Sequence, residues 1–427
     1  MVSAASILTL FGVLLGCLLI GIPIAFSLGL SGIVTILTSL DARYMLQIPV
    51  TLDKVLSDFV FVAIPLYVLM GEILYHGKSG ERLFWLASAM LKRMRWGVGV
   101  AAVAAFTFFA AIVGSSMASV LSIGKIALPE MRKYNYSKTL AYGLTAVGGS
   151  LGMLIPPSMA FILYASLTGV SPSKLFIAGV IPGLLIASML TISAIVRAPK
   201  VPPEEYSIYD RKVDIREILK IIPDLFLPVF ILGGIYAGAF TPVEAAGVGV
   251  VYALIVNLFI QRSIKWKDLP RICMDAVRSS AFLLSIVAGA IIFGQALTNI
   301  GLPQFLSDKI GDLGMAPWVV LLIMNLIWLV MGFFLEGASI TLITTPIFFP
   351  VAQSLGFDPV WFGVLLVLNM ELAVITPPVG VNLFAIKSLL PDEPLEKIIV
   401  HTLPSTLFVF ITLALVWIFP ELALALL

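Results

Sequence analysis

The sequence predicts an all-α integral membrane protein built as two inverted repeats, with about ten spans, two re-entrant hairpins and two interfacial arm helices. Three observations carry that expectation. The 427 residues are 60% hydrophobic and 12% charged, with a mean hydropathy of +1.08, far from the roughly half-apolar, quarter-charged usage of soluble domains. The apolar stretches reach the ~20 residues needed to cross a hydrocarbon layer ~30 Å thick. Finally, the second half repeats the plan of the first with its charged loops reversed.

Charge is nearly balanced, 26 Lys and Arg against 24 Asp and Glu, and the basic residues sit between apolar runs, so no nucleic-acid surface is expected. The opening run, MVSAASILTLFGVLLGCLLIGIP, lacks the basic start of a secretory signal and leads into a second apolar run, so it reads as a retained span. Cys17 and Cys273 lie in or beside apolar segments, and His76 and His401 are the only histidines, so neither a disulfide framework nor a His-rich metal site can be assembled. No nucleophile stands with a base, so neither enzymatic activity nor a cofactor is expected.

Residues 1–75 read as scaffold helices. Lys and Arg in short loops stay on the cytoplasmic side, which places three regions inside: 76–97 with Lys78, Arg82, Lys92, Arg93 and Arg95; 197–220 with Arg197, Lys200, Arg211, Lys212, Arg216 and Lys220; and 261–271 with Arg262, Lys265, Lys267 and Arg271. Within the first, 76–96 mixes apolar and basic residues as an interfacial arm helix would. A fourth basic loop, with Arg132, Lys133 and Lys138, follows after an apolar stretch too short for the ~40 residues of two full spans. A hairpin over 97–131 fits better, entering near Trp96, turning at Gly114-Ser115-Ser116 near mid-membrane and returning near Glu130. Residues 139–168 then form a long apolar run broken at Pro156-Pro157.

The second half repeats this plan. Without gaps, Pro156-Pro157 falls on Pro377-Pro378, Pro129 on Pro350 and Ser116 on Gly337; with small gaps, Gly71 falls on Gly294 and Pro23 on Pro242. The first repeat is therefore 1–197, the cytoplasmic connector 198–220 and the second repeat 221–427, with scaffold helices 221–299, arm 300–316, hairpin 317–350 and broken helix 360–387. The second copy's loops are poor in bases: 300–316 holds Lys309 against Asp308 and Asp312, and 351–359 holds Asp358. Those loops are placed outside. Five spans and one hairpin per half give an odd number of crossings, which inverts the halves and puts both termini outside, as in many secondary transporters.

Two adjacent prolines remove amide donors and clash with the preceding turn, so each pair is expected to break its helix at mid-membrane. Irregular backbone is tolerated there only where protein or a water-filled cavity satisfies it, so the paired breaks mark the expected binding site. Beside each break should lie a hairpin tip, Gly114-Ser115-Ser116 or Glu336-Gly337-Ala338-Ser339. Hydroxyls and carbonyls converging there suit a hard monovalent cation such as Na+, and half-helix N-termini suit an anionic substrate. Gly114, Ser150, Ser158, Ser339, Glu336 and Glu371 are the substrate-site candidates; Glu336 and Glu371, opposite Ser115 and Ser150 in the repeat, are intramembrane carboxylates with a coupling, orienting or capping role. Glu72, close to the basic loop, reads as interfacial, and Lys125 as snorkelling to the cytoplasm. Thr241-Pro242-Val243-Glu244 is a capping box, and Ser171-Pro172 and Asp358-Pro359 are helix starts.

Four stretches carry a family resemblance: Gly114-Ser115-Ser116; Leu154-Ile155-Pro156-Pro157-Ser158 with Ile162-Leu163-Tyr164; Phe240-Thr241-Pro242-Val243-Glu244-Ala245-Ala246; and Ile375-Thr376-Pro377-Pro378-Val379-Gly380-Val381-Asn382-Leu383-Phe384. Over essentially its full length the chain resembles the large membrane subunit of tripartite ATP-independent periplasmic (TRAP) transporters, the DctM-like family. That resemblance implies an elevator-type importer of organic anions such as carboxylates or sugar acids, coupled to Na+ and seated in the bacterial inner membrane. It also implies a small four-helix membrane subunit, expected here as a separate chain, and a periplasmic substrate-binding protein. By the same resemblance Ser115, Ser116, Gly148, Gly149 and Pro156 form one Na+ site and Gly337, Thr376, Pro377 and Asn382 the other. Met117-Ala118-Ser119 and Lys125 depart from the family's usual smaller, uncharged residues. The alternative is a stand-alone sodium- or proton-coupled dicarboxylate symporter of a related inverted-repeat fold.

Overall fold

The computed structural model describes residues 3–91, 93–200 and 215–427, which are helices and short connections with no strand among them. The first half runs α1 (Ala4–Leu19), α2 (Ile24–Ser39), α3 (Gln47–Leu56), α4 (Phe59–His76), α5 (Ser79–Leu91), α6 (Gly97–Val113), α7 (Ser116–Lys133), α8 (Lys138–Ser150), α9 (Met159–Thr168) and α10 (Pro172–Val196). The second runs α11 (Ile215–Tyr236), α12 (Pro242–Ile255), α13 (Leu269–Ile300), α14 (Leu302–Asp312), α15 (Pro317–Gly332), α16 (Gly337–Ser354), α17 (Pro359–Ile375), α18 (Val381–Leu389), α19 (Leu395–Ile418) and α20 (Glu421–Leu424). Leaving out α3 and α20, both halves follow one succession: three helices, a short arm, a hairpin, an interrupted helix and a closing helix. Of the expected connector at 198–220, residues 201–214 lie outside the described residues, as does Lys92 in the first arm.

Local chemistry accounts for where these helices begin. Thr241 accepts a hydrogen bond from the Glu244 amide at 3.3 Å while Glu244 Oε2 accepts from the Thr241 amide at 2.8 Å, the reciprocal cap the sequence implied. Asp358 accepts from the amides of Val360 and Trp361 at 2.8 and 2.9 Å, with Pro359 at the first helical position. Among the described residues, six helices are long and apolar enough to cross a membrane: Phe59–His76, Pro172–Val196, Ile218–Tyr236, Pro242–Ile260, Trp266–Asn299 and Leu395–Ile418. The remaining candidates for about ten crossings are α1, α2 and the two interrupted helices, each piece shorter than the usual ~20 residues.

In a bilayer the surrounding lipid is as apolar as leucine, so close backbone approach and interhelical hydrogen bonds hold helices together more than apolar burial does. Helix α2 packs along α13, and the contact is so close that a methyl on Gly289 would stand 2.1 Å from the Ala25 carbonyl oxygen. Polar ties recur between helices: Ser31 Oγ donates to the Leu10 carbonyl at 2.5 Å, Tyr67 to the Pro242 carbonyl at 2.9 Å and Trp361 Nε1 to the Val416 carbonyl at 2.7 Å. The root of the first arm is fixed more firmly. Buried Asp224 of α11 accepts from Arg82 Nε and Ser79 Oγ, both at 2.9 Å, and from Gln261 Nε2 at 2.8 Å. Truncating Arg82 would leave a buried carboxylate short of its partner, at a cost of about 3–5 kcal/mol.

The halves interlock through their hairpins. Helix α7 of the first hairpin packs on α18 of the second interrupted helix, and α16 of the second hairpin packs on α9 of the first. Each hairpin therefore meets the break belonging to the other half, and this crossing builds the site.

Candidate binding site at the crossed hairpins

The chain leaves the helix at both double prolines. After Ser150, a single turn at Leu151–Met153 leads into non-helical backbone until α9 starts at Met159; α17 ends at Ile375 and α18 starts at Val381. The breaks free the N-termini of α9 at Met159 and α18 at Val381, and the hairpin tips add those of α7 at Ser116 and α16 at Gly337. All four of those residues line a single cavity of about 410 Å³. Each N-terminus carries the equivalent of roughly half a positive charge, so together they make this cavity attractive to an anion. Its walls also include Val68, Leu121, Leu163 and Leu283, which give an organic ligand an apolar surface.

The first hairpin tip is closed by hydrogen bonds. Gly114 adopts a left-handed φ of 63°, and a methyl there would stand 2.4 Å from the Pro157 carbonyl oxygen. Ser115 caps α7 through the Ala118 amide at 3.5 Å, and its carbonyl accepts from Ser119 Oγ at 2.8 Å. Ser116 Oγ donates to Asn382 Oδ1 at 2.6 Å, and Asn382 Nδ2 donates to the Ala146 carbonyl at 2.8 Å, with Asn382 fully buried. The second tip is built differently. Glu336 precedes α16 without capping it, and its Oε1 is buried with no hydrogen-bond partner among the described residues. At Gly337 a methyl would meet the thioether methyls of Met370 and Met153 at 2.7 and 2.9 Å.

Of the ion-site and substrate-site candidates named from the sequence, Gly114, Ser115, Ser116, Glu336 and Gly337 line the cavity. Asn382, grouped by resemblance with Gly337, Thr376 and Pro377, stands instead with Ser116, because α18 packs on α7. Thr376 Oγ1 bonds back to the Leu372 carbonyl, Ser150 Oγ to the Val147 carbonyl at 2.9 Å, and Ser158 caps α9 through the Phe161 amide at 3.4 Å. Gly149 lies beside the Ser116–Asn382 pair, whereas Gly148 faces Phe106 on α6, since successive helix positions point in different directions. Pro156, Pro377, Ser339 and Glu371 do not line the cavity; Glu371 is fully buried in α17 with neither carboxylate oxygen hydrogen-bonded among the described residues.

Sequence reasoning missed three contributors. Glu72, read as interfacial, lines the cavity and has His76 Nε2 at 3.7 Å, itself 3.5 Å from Asp275. Its apolar surroundings were the available signal. Met153 and Met370 also line the cavity, and apolar residues among so many others give none.

The DctM-component model of the tripartite ATP-independent periplasmic transporters matches residues 11–422. The chain belongs to this family. It is thus the large permease component of a TRAP importer in the inner membrane. Among similar proteins, the C4-dicarboxylate TRAP transporter large permease protein DctM of Pseudomonas aeruginosa is 40% identical over 94% of this chain and 93% of its own length. The sialic acid TRAP transporter large permease protein SiaM of Vibrio cholerae is 31% identical, with 96% of each chain covered. Among solved structures, the Alcanivorax borkumensis YdaH transporter, described as having an unusual topology, superposes with a TM-score of 0.64 at 16% identity, covering 91% of each chain. At that identity the likeness bears on fold alone.

Proposed function

We propose that this permease carries a small organic anion, a carboxylate or sugar acid handed over by a periplasmic binding protein, and that a Na+ gradient drives its uptake. The observation that carries this reading is the meeting of four helix N-termini at one cavity between two hairpin tips, which supplies positive potential to a carboxylate without a mid-membrane Arg or Lys. Relatives named for C4-dicarboxylates and for sialic acid share that substrate chemistry. The coupling ion is assigned to the oxygens around the first tip: the Ser115 carbonyl, Ser116 Oγ, Asn382 Oδ1 and the Ala146 carbonyl. The hairpins and interrupted helices form the moving unit of an elevator, while α1, α2, α4 and α11–α13 form the scaffold; a small membrane subunit completes the complex. The basic loops face the cytoplasm and both termini the periplasm.

The test compares the unfolding temperature of the purified full chain in Na+ and in K+ at equal ionic strength, for the wild type and for Ser116→Ala. A ligand that binds only the folded state at 100 times its Kd stabilises it by about 2.7 kcal/mol. A Na+-specific rise that Ser116→Ala abolishes supports the assignment. If the wild type shows no rise, Na+ coupling is wrong, and Glu336, which lines the cavity and has a buried oxygen without a hydrogen-bond partner among the described residues, makes proton coupling the next reading.

A further inference from the structure

A second cavity, of about 330 Å³, lies away from the binding site, where the returning arm of the first hairpin meets the start of α8. Three cations line it: Arg132 and Lys133 from the last turn of α7 and Lys138 from the first turn of α8. Its remaining wall is largely apolar, formed by Leu128, Pro129, Ala141 and Leu390 beside Tyr136 and Tyr142. Among the described residues, the carboxylate that engages these cations is Glu393, whose two oxygens both lie 2.8 Å from Lys138 Nζ. Arg132 and Lys133 are exposed and have no ion pair among the described residues. The N-terminus of α8, with Ser137 as its cap, adds its positive end to the same place.

We infer that this cavity binds the phosphate diester headgroup of an anionic membrane lipid. Its position carries the choice of lipid. The loop with Arg132, Lys133 and Lys138 lies at the bilayer surface that the basic residues mark as cytoplasmic, so the inference rests on that orientation. It does not depend on the transported substrate or the coupling ion. Basic pockets between membrane helices on that face hold anionic headgroups, each Lys or Arg contributing about 1 kcal/mol, or roughly a fivefold change in affinity. The apolar floor beneath the cations gives the first carbons of an acyl chain a surface that a free phosphate ion cannot use. A headgroup seated here would hold together the end of the first hairpin, the first turn of α8 and the segment joining α18 to α19.

The experiment titrates the purified full chain in neutral detergent with dioleoyl phosphatidylglycerol, dioleoyl phosphatidylcholine or inorganic phosphate, and reads the unfolding temperature. Phosphatidylglycerol is expected to raise it saturably and phosphatidylcholine not to. The midpoint should weaken by about fivefold in Lys133→Gln and about 25-fold in Arg132→Gln/Lys133→Gln. Lys133 is exposed and has no ion pair among the described residues, so the single variant keeps its fold. Equal midpoints in the wild type and Lys133→Gln would place the headgroup elsewhere and overturn the inference. Inorganic phosphate that reproduces the shift at the same concentration would overturn the lipid as its source, leaving a soluble phosphate site.

Discussion

The two hairpin tips occupy equivalent places in one backbone plan and hold opposite chemistry. At the first, Ser116, Asn382 and the Ala146 carbonyl form a closed run of hydrogen bonds, and Gly114 fits against the Pro157 carbonyl with no room for a methyl. At the second, Glu336 keeps a buried oxygen without a partner among the described residues, and Gly337 faces the ends of two flexible methionines. The first tip is rigid because its buried polar groups satisfy one another, so opening it leaves Asn382 unpaired inside the protein. The second is deformable and holds an unused carboxylate. A repeated fold thus supplies two similar frames, and single side chains divide the work between them.

The largest expected effect breaks this contrast at the glycines. Gly114→Ala combines a left-handed backbone with a backbone clash and should destabilise by about 2–4 kcal/mol. Gly337→Ala meets chiefly the movable thioether ends of Met370 and Met153, with the Met370 Cβ at 3.2 Å, and should cost less, about 1–1.5 kcal/mol. Unfolding temperatures measured side by side rank the pair, and the reverse order would mean that the second tip is the rigid one. Next comes Asn382→Ala, which strips a buried hydroxyl and a buried carbonyl of their partner at about 2–3 kcal/mol. It should also remove any Na+-dependent stabilisation that the wild type shows.

Glu336→Gln sharpens the contrast from the other side. An amide of the same shape relieves a buried carboxylate oxygen that has no partner, so the unfolding temperature should hold or rise, while uptake in proteoliposomes should fall. A drop in stability would reveal a partner for Glu336 and make the tips alike. The smallest effect concerns Lys138, whose hydrogen bond to Glu393, reinforced by its charge, holds that carboxyl below the usual carboxylate range. A carboxylate whose pKa is depressed on folding stabilises above its unfolded value of about 4.3, and that contribution is lost as pH falls through the lower folded value. Lys138→Met should therefore weaken the fold above about pH 4.3 by no more than about 0.5 kcal/mol, because Lys138 is half-exposed and solvent screens the pair. Below the folded pKa it should leave stability unchanged. A pH series of unfolding temperatures for both proteins checks this.

Much of the architecture was legible because its signals are local. Pro156-Pro157 and Pro377-Pro378 announce broken helices, Gly114 announces a tight turn, and Thr241 and Asp358 announce their caps from the nearest few residues. The grouping of the site residues was not legible in this way. Asn382 follows Pro377 closely in sequence and was expected with the second tip, yet its side chain bonds across to Ser116. Glu72 stands one turn from the basic loop and was read as interfacial, yet α4 sets it in the cavity wall.

By itself the sequence determined a membrane-embedded, all-helical chain, the repetition of one plan in its two halves, and the places where its helices stop. Composition decides the solvent and proline decides the breaks, and neither depends on a distant partner. Only the tertiary structure decided that each hairpin packs on the other half's interrupted helix, and therefore which oxygens meet at each tip. That choice depends on which helices pack against each other, here α7 against α18 and α16 against α9, and residues far apart in the chain set those contacts together.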